Sequence, residues 1–462
     1  MILTLNMLLN KLSAPKLHGE INRYTESEKN YYGLRLRKMI QCETVSEKNR
    51  FDDKEFIKLR EVMKELFPLV HKKAEIKIFS DDCWVYKIPG RKQNKNIMLM
   101  SHHDVVPVKG NWKHGGFSGD FIDDCIWGRG TVDTKTPLFA EFSALEELLS
   151  EGYEPECNVY IASSHNEELG GDGIPEANRY FIENGIRFEA VLDEGGAIID
   201  PPLSGMKCEK CAMVAVHEMG RVYLDFKAEA SRQGDLTEAL PATPVERMAS
   251  FVNSVSKGDI FLKNVNREIR AMFKAIAPYS SFPMNFVFSN IQFFSPVLKR
   301  VMPKINSQAG ALIGTTCSFN SINGSSKDKV CKARAVLKPV NGKDMERDIR
   351  SVKELSTKYG ITVEKSPESE YHEPANMRRK AFKYTCKCIN KVFPQYPVVP
   401  FILPAGTDAR TLTDVCDCVI RFAPIRLSGQ QLASVHSENE NIELDAVIDC
   451  VKFYKEFLKN YR

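Results

Sequence analysis

Short apolar runs that end in metal-ligand chemistry recur along this chain, and they constrain its fold more than any other feature. Ile97–Met100 leads into His102, His103 and Asp104, and Val159–Ala162 leads into His165, Asn166, Glu167 and Glu168. Ala190–Leu192 leads into Asp193 and Glu194 before two glycines. A fourth run, Cys418–Pro424, precedes QQLASVHSENENI, a helix-like stretch that contains His436. Runs this short, with β-branched and aromatic residues, read as buried strands. Between them lies a helical pattern. Pro137 suits a first turn, and Leu138, Phe139, Phe142, Leu145, Leu148 and Leu149 recur near helical spacing until Gly152. Strands alternating with helices imply an α/β fold, a mostly parallel sheet with helices on both faces. Sites in such sheets lie outside the carboxyl ends of the strands. His102, Asp104, Glu167, Glu168, Asp193 and Glu194 all fall there.

A further acid comes from IWGRGTVDTKTP, where Gly128 and Gly130 predict a tight turn and Asp133 precedes the helix. An aspartate in that place can be an ordinary helix N-cap; beside the other groups it also reads as a metal ligand. His102 and His436 with Asp133, Glu168 and Glu194 make a nitrogen–oxygen donor set without thiolate. Such a set suits zinc, with cobalt or manganese as substitutes. Five protein ligands exceed what one open catalytic zinc takes, but they fit two zinc ions bridged by one carboxylate, ~3.5–4 Å apart. Glu167, adjacent to a ligand and not needed as one, is the candidate general base and acid for attack of water on a carbonyl. Asp104, two residues beyond His102, is the candidate partner that fixes the tautomer of that imidazole.

At 462 residues the chain exceeds what one core usually supports, so two domains are expected. A net charge of +4 against 64 basic and 60 acidic residues, with no long basic block, argues against nucleic acid or a membrane surface as partner. The N-terminal MILTLNMLLNKLSAPK lacks a basic start, and Asn6 and Asn10 interrupt its apolar run. A helix is expected there rather than a signal peptide. No segment reaches the ~18 apolar residues of a membrane span. The 13 cysteines, an odd count without framework spacing, suit a reducing compartment, and the cytoplasm is the expected location. The CxxC at Cys208–Cys211 lacks the second pair a zinc knuckle needs and reads as free thiols.

In order along the chain, SHHDVVPV, GRGTVDTK, NEELGG, LDEGG and SVHSENE resemble the motifs of one family. It is the bimetallic zinc amidohydrolase family of carboxypeptidase S, aminoacylase, acetylornithine deacetylase and succinyl-diaminopimelate desuccinylase. The chain most resembles the carboxypeptidase S branch, over roughly residues 20 to 460. Five ordered motifs are together a specific signal. The resemblance implies His102, Asp133, Glu168, Glu194 and His436 as metal ligands, with Asp133 bridging and Asp193 the alternative to Glu194. It implies Glu167 as base and Asp104 as the partner of His102. PAGTDARTLTD and RFAPIRL also match, and Arg410 there is implied as a substrate-site or structural arginine. The family architecture implies a catalytic domain of residues 1–216 and 342–462. It is interrupted at 217–341 by a smaller α+β, ferredoxin-like lid of order βαββαβ that often dimerises. TPVERMASFVNSV reads as a lid helix, and Phe261–Ala311 as the enlarged helical insertion of this branch or as extra core.

The substrate-clamping motifs depart from the family pattern. The family lid carries a histidine that polarises the scissile carbonyl. Here ASRQGDLTEALPATP puts Asp235 in its place, and no histidine occurs between His217 and His372. Losing one oxyanion donor costs ~10²–10³ in rate, unless the substrate brings its own cation to Asp235. The resemblance thus implies a zinc-dependent peptidase of carboxypeptidase or dipeptidase type acting on a small peptide. Deacylation of N-acyl amino acids comes next, and a weakened metal-holding regulatory or ligand-binding homologue is the alternative of another class. A monomer or a homodimer through the lid is expected.

Overall fold

Ile97, Met98, Leu99 and Met100 are all buried, and their strand, Lys92–Met100, pairs in parallel with Cys157–Ser163 and with Ala190–Asp193. Val419–Arg421 adds to Ala190–Asp193, again in parallel. Strands enclosed in this way have both faces covered, so the runs are continuously apolar rather than alternating. The structure, a computed structural model, describes residues 2–48, 53–230, 242–305, 307–325 and 327–462. In it those four strands form the middle of a nine-stranded sheet. Antiparallel strands extend it, Cys83–Ile88 and Glu75–Phe79 on one side and Cys211–Glu218 on the other. The mostly parallel α/β sheet read from the sequence is present.

The helix expected from Pro137 runs Lys135–Ser150, with residues 135 to 145 all buried. It packs against Leu444–Asn460 and Glu26–Ile40. Gly152 ends the segment at φ +80°, a conformation that glycine adopts without a Cβ clash. An N-terminal helix spans Ile2–Ser13. Among the described residues no helix is long and apolar enough to cross a membrane.

The chain divides into two compact units. The first takes in Met1–Val216, Lys274–Ser289 and Pro374–Arg462, and holds the large sheet. The second, His217–Phe273 and Asn290–Glu373, holds a four-stranded antiparallel sheet. Its strands lie in the order Thr316–Asn323, Val330–Lys338, Val222–Glu229, Ile361–Lys365. With helices Pro244–Lys257 and Gly342–Thr357 this gives the βαββαβ sequence of elements. Thr243 starts the first of these helices with a capping box to Glu246, and Pro244 occupies its first turn. Phe226 and Phe251 meet in the core between sheet and helix.

The limits of this unit differ from those expected. Residue 341 only caps the helix Gly342–Thr357, and the strand after it pairs with the first, Phe226 opposite Val363. The unit therefore continues to Glu373, while Lys274–Ser289 belongs with the first unit. The stretch expected as a helical insertion contains the helices Arg267–Ile276, Met284–Ser289, Ile291–Ile305 and Ser307–Ala311.

Candidate active site

The carboxyl ends of the central strands of the first unit deliver the polar groups. His102 is buried, with Nδ1 3.0 Å from the Asp104 carbonyl oxygen and 3.3 Å from Asp104 Oδ1. That leaves Nε2 directed at Asp133 Oδ1, 3.0 Å away. The second oxygen of Asp133 lies 3.1 Å from His436 Nε2, which is also 2.9 Å from Glu168 Oε2. Asp133 thus stands between two imidazoles, one oxygen to each. His436 was expected within a helix-like stretch. The helix Gly429–Ala433 ends before it, and His436 has a left-handed φ of +57°.

Asp104 does more than orient His102. Its Oδ1 accepts the Glu167 N–H at 3.2 Å. Its Oδ2 accepts the Glu168 N–H at 3.2 Å and the Ser46 hydroxyl at 2.6 Å. One fully buried carboxylate therefore ties His102 to the 3-10 turn Glu167–Leu169. Glu167 Oε2 ends 4.0 Å from His102 Nε2. Arg410 approaches Gly170, at the end of the same turn.

A cavity of about 350 Å³ opens beside these groups. Asp133, Glu167, Glu168, Glu194 and His436 line it. Ala197, Leu403, Ala423, Ile425, Leu427, Leu432 and Val435 add an apolar lining. Glu194 faces this space, whereas Asp193 is turned to the backbone and accepts the Ala409 N–H at 3.2 Å. Gly196 lets the segment pass, because a Cβ there would lie 2.3 Å from the Met213 carbonyl oxygen. Among the other candidates, His103 is buried and stacks flat on Trp84, centroids 3.9 Å apart, with Nδ1 2.9 Å from Ser163 Oγ. His217 is buried against Tyr371. In the second unit Arg334 pairs with Glu368 at 2.7 Å. Asp235 lies outside the described residues.

Two residues that hold the site together were not singled out from the sequence. Glu440, fully buried, accepts the N–H groups of Gly130, Val132 and Asp133 at 3.1, 2.7 and 3.1 Å through one oxygen. Its other oxygen meets Arg129 Nη1 at 2.6 Å, and Arg129 Nη2 donates to the Ser437 carbonyl at 2.9 Å. The pair locks the loop carrying Asp133 to the loop carrying His436. The only sequence signal was an arginine between two glycines and an acid four residues past a histidine, both ordinary in loops.

Crowded carboxylates set the electrostatics. Burial, then the charges of Asp408, Asp133 and Asp104, raises Glu167 to about 9 despite His102 nearby. Burial and then Asp408 bring Asp193 to about 7; burial and then Asp104 bring Asp408 to about 6. Glu194 is raised further by burial and by Asp193. At Asp133 burial acts in the same sense but is outweighed by the two imidazoles, and its pKa falls.

Divalent cations fit this donor set. Donor atoms of His102, Asp133 and Glu168 lie within 4.8 Å of one another. Glu168 Oε1 is buried and accepts no hydrogen bond among the described residues. Without a cation, Glu167, Asp193, Glu194 and Asp408 keep their protons above the usual carboxylate range. Acids whose folded pKa values exceed their unfolded values near 4 hold protons the unfolded chain has released. The chelated protein should therefore lose stability as pH rises from about 4 to about 9. Saturating zinc should remove that loss. Urea midpoints across this range, with and without chelator, measure both effects. A chelated protein equally stable at both ends contradicts the expectation.

Comparison with known proteins agrees with this architecture. A model of the family described as Peptidase family M20/M25/M40 matches residues 98–460. A protein of Dictyostelium discoideum named probable carboxypeptidase S-like 2 is 30% identical, covering 100% of this chain and 91% of its own. An N-fatty-acyl-amino acid synthase/hydrolase of Xenopus tropicalis is 26% identical, covering 95% of this chain and 88% of its own. Among solved structures, an M20 family metallo-carboxypeptidase of Sulfolobus solfataricus superposes with a TM-score of 0.63 at 18% identity. That match covers 94% of this chain and 99% of the other.

Proposed function

The chain belongs to peptidase family M20/M25/M40 and is a metal-dependent hydrolase of the metallopeptidase type, and we propose that it cleaves the amide bond of a small peptide with an apolar residue beside that bond, as a carboxypeptidase or dipeptidase. We assign two zinc ions, replaceable by cobalt or manganese, to His102, Asp133, Glu168, Glu194 and His436. The observation that carries this reading is Asp133 with one oxygen toward each imidazole and Glu167 beside them. Glu194 is preferred to Asp193 as a ligand because Glu194 faces the cavity while Asp193 is engaged with backbone.

Zinc held there would supply Lewis acidity toward a carbonyl oxygen and acidify water. The remaining tasks fall to the chain. Glu167 accepts the proton of the attacking water and returns it to the leaving nitrogen. Asp104 fixes the His102 tautomer and the position of Glu167 through the same carboxylate. Arg129 and Glu440 hold the Asp133 and His436 loops in register. Arg410 is assigned to the substrate or to support of the turn at Gly170, and Asp235, on the motif alone, to a cationic group of the substrate. Thirteen free cysteines agree with a cytoplasmic setting, and the chain acts as a monomer or as a homodimer through the second unit.

The apolar wall of the cavity supports the substrate class. A pocket of this kind discriminates side chains by ~1–3 kcal/mol. Dipeptides with Leu or Phe beside the scissile bond should thus show kcat/KM about tenfold or more above those with Asp or Lys there. Leu432→Lys should remove most of that difference. A flat series across side chains contradicts the reading. The similarity to an N-fatty-acyl-amino acid synthase/hydrolase supports a second reading, in which the same wall takes the acyl chain of an N-acyl amino acid. Under it, rates rise with acyl length and the dipeptides are poor substrates.

A further inference from the structure

Large apolar side chains stand exposed at 21 places among the described residues, and 11 of these fall within residues 2–12 and 282–305. Apolar residues scattered singly over a surface need no explanation, whereas a concentration marks an interaction site. In the second unit, the helix Ile291–Ile305 turns Phe293, Val297, Val301 and Ile305 to solvent, 58, 53, 44 and 64% exposed. Their four-residue spacing makes one stripe. Arg300 and Lys304, also exposed, stand on the same side. Ile291 and Met302 are the buried residues of this helix.

The segment that carries this stripe is one-sided in charge. From Ile269 to Lys327 the chain carries no Asp or Glu and six Lys or Arg. Those six cations exceed the net charge of +4 of the whole chain, so the small total conceals a cationic, acid-free segment. The first unit repeats the combination on its own. Its helix Ile2–Ser13 exposes Leu5, Leu8, Leu9 and Leu12 with Lys11 beside them, and no acid occurs before Glu20.

We propose that these two helices bind the surface of an anionic phospholipid membrane, each lying in the interface with its apolar stripe among the acyl chains. An exposed apolar stripe bordered by Lys and Arg is what such a surface selects, because apolar burial and attraction to anionic headgroups act together. The long stems of Arg300 and Lys304 can lie along the apolar layer while their charges stay at the headgroups. A second copy of this chain fits less well. It would set these cations against their own kind, with no carboxylate on the segment to pair them. The overall charge balance argues against a membrane surface; the proposal departs from that expectation on the local distribution. The inference is independent of the hydrolytic reading.

The test is flotation of the full chain with phosphatidylcholine vesicles, with and without phosphatidylserine, at physiological and at high salt. Binding should require phosphatidylserine and weaken with salt. Val297→Glu/Val301→Glu and Arg300→Glu/Lys304→Glu should each reduce it about tenfold or more. Both pairs are on the surface, so thermal midpoint and hydrolysis of a soluble substrate should be unchanged. Equal binding to phosphatidylcholine alone, or no binding to either vesicle, overturns the proposal. So does a Val297→Glu/Val301→Glu protein whose only change is from dimer to monomer by light scattering.

Discussion

Glu167→Gln is expected to lower kcat for amide hydrolysis about a thousandfold, within the ~10²–10⁴ range of general acid–base catalysis. KM should stay within a few fold, and the metal content should match that of the unchanged protein. Glutamine keeps the shape of the side chain and loses only its capacity to carry a proton. The Glu167 N–H bond to Asp104 is a backbone contact and survives the change, so the turn that positions Glu168 survives with it. Metal analysis of both proteins alongside single-turnover rates separates the possibilities. Loss of metal together with activity would make Glu167 a ligand. Full activity in the variant would remove it from the reaction.

Glu440→Ala is expected to cost about 3–5 kcal/mol of stability, the usual consequence of stranding one partner of a buried ion pair. Arg129 would be left buried without its carboxylate, and the N–H groups of Gly130, Val132 and Asp133 would lose their shared acceptor. Burial raises the Glu440 pKa in spite of Arg129, a sign of how little water reaches the pair. A double change, Arg129→Met/Glu440→Leu, should recover only part of the stability, because it removes both charges but still leaves the three N–H groups without their acceptor. It should not recover activity, because Asp133 and His436 would no longer be held together. Urea midpoints at constant slope give the first effect and turnover gives the second. A stable and fully active Glu440→Ala protein would show that the loops hold their register unaided.

The strands and the polar groups at their ends were legible because a buried parallel strand must be apolar along its length and its polar residues must follow it. Ile97–Met100 and His102 show both in six residues. The long helix was legible for a related reason: Leu138, Phe139, Phe142 and Leu145 are buried, and Gly152 ends it. His436 was harder. Leu432, in the helix Gly429–Ala433, and Val435 beyond it both line the cavity, so the helix-like spacing runs on past the helix end. That Glu194 lines the cavity while Asp193 meets backbone could not be read from adjacent acids, since the Ala409 N–H comes from 216 residues away. Glu440 escaped for the same reason, because its partners Arg129 and Gly130 come from a loop some 310 residues earlier. The limit of the second unit was misplaced because its last strand is recognised only by its pairing with Val222–Glu229.

The most direct measurement is turnover as a function of bound metal. Chelator-stripped protein is titrated with zinc while hydrolysis of a mixed set of dipeptides and N-acyl amino acids is followed and metal per chain is determined. Activity should appear with the metal and saturate near about two ions per chain. The substrates cleaved fastest should carry an apolar group beside the scissile bond. Two ions bound with no turnover on any substrate would contradict the hydrolase reading and point to a metal-holding binding or regulatory protein.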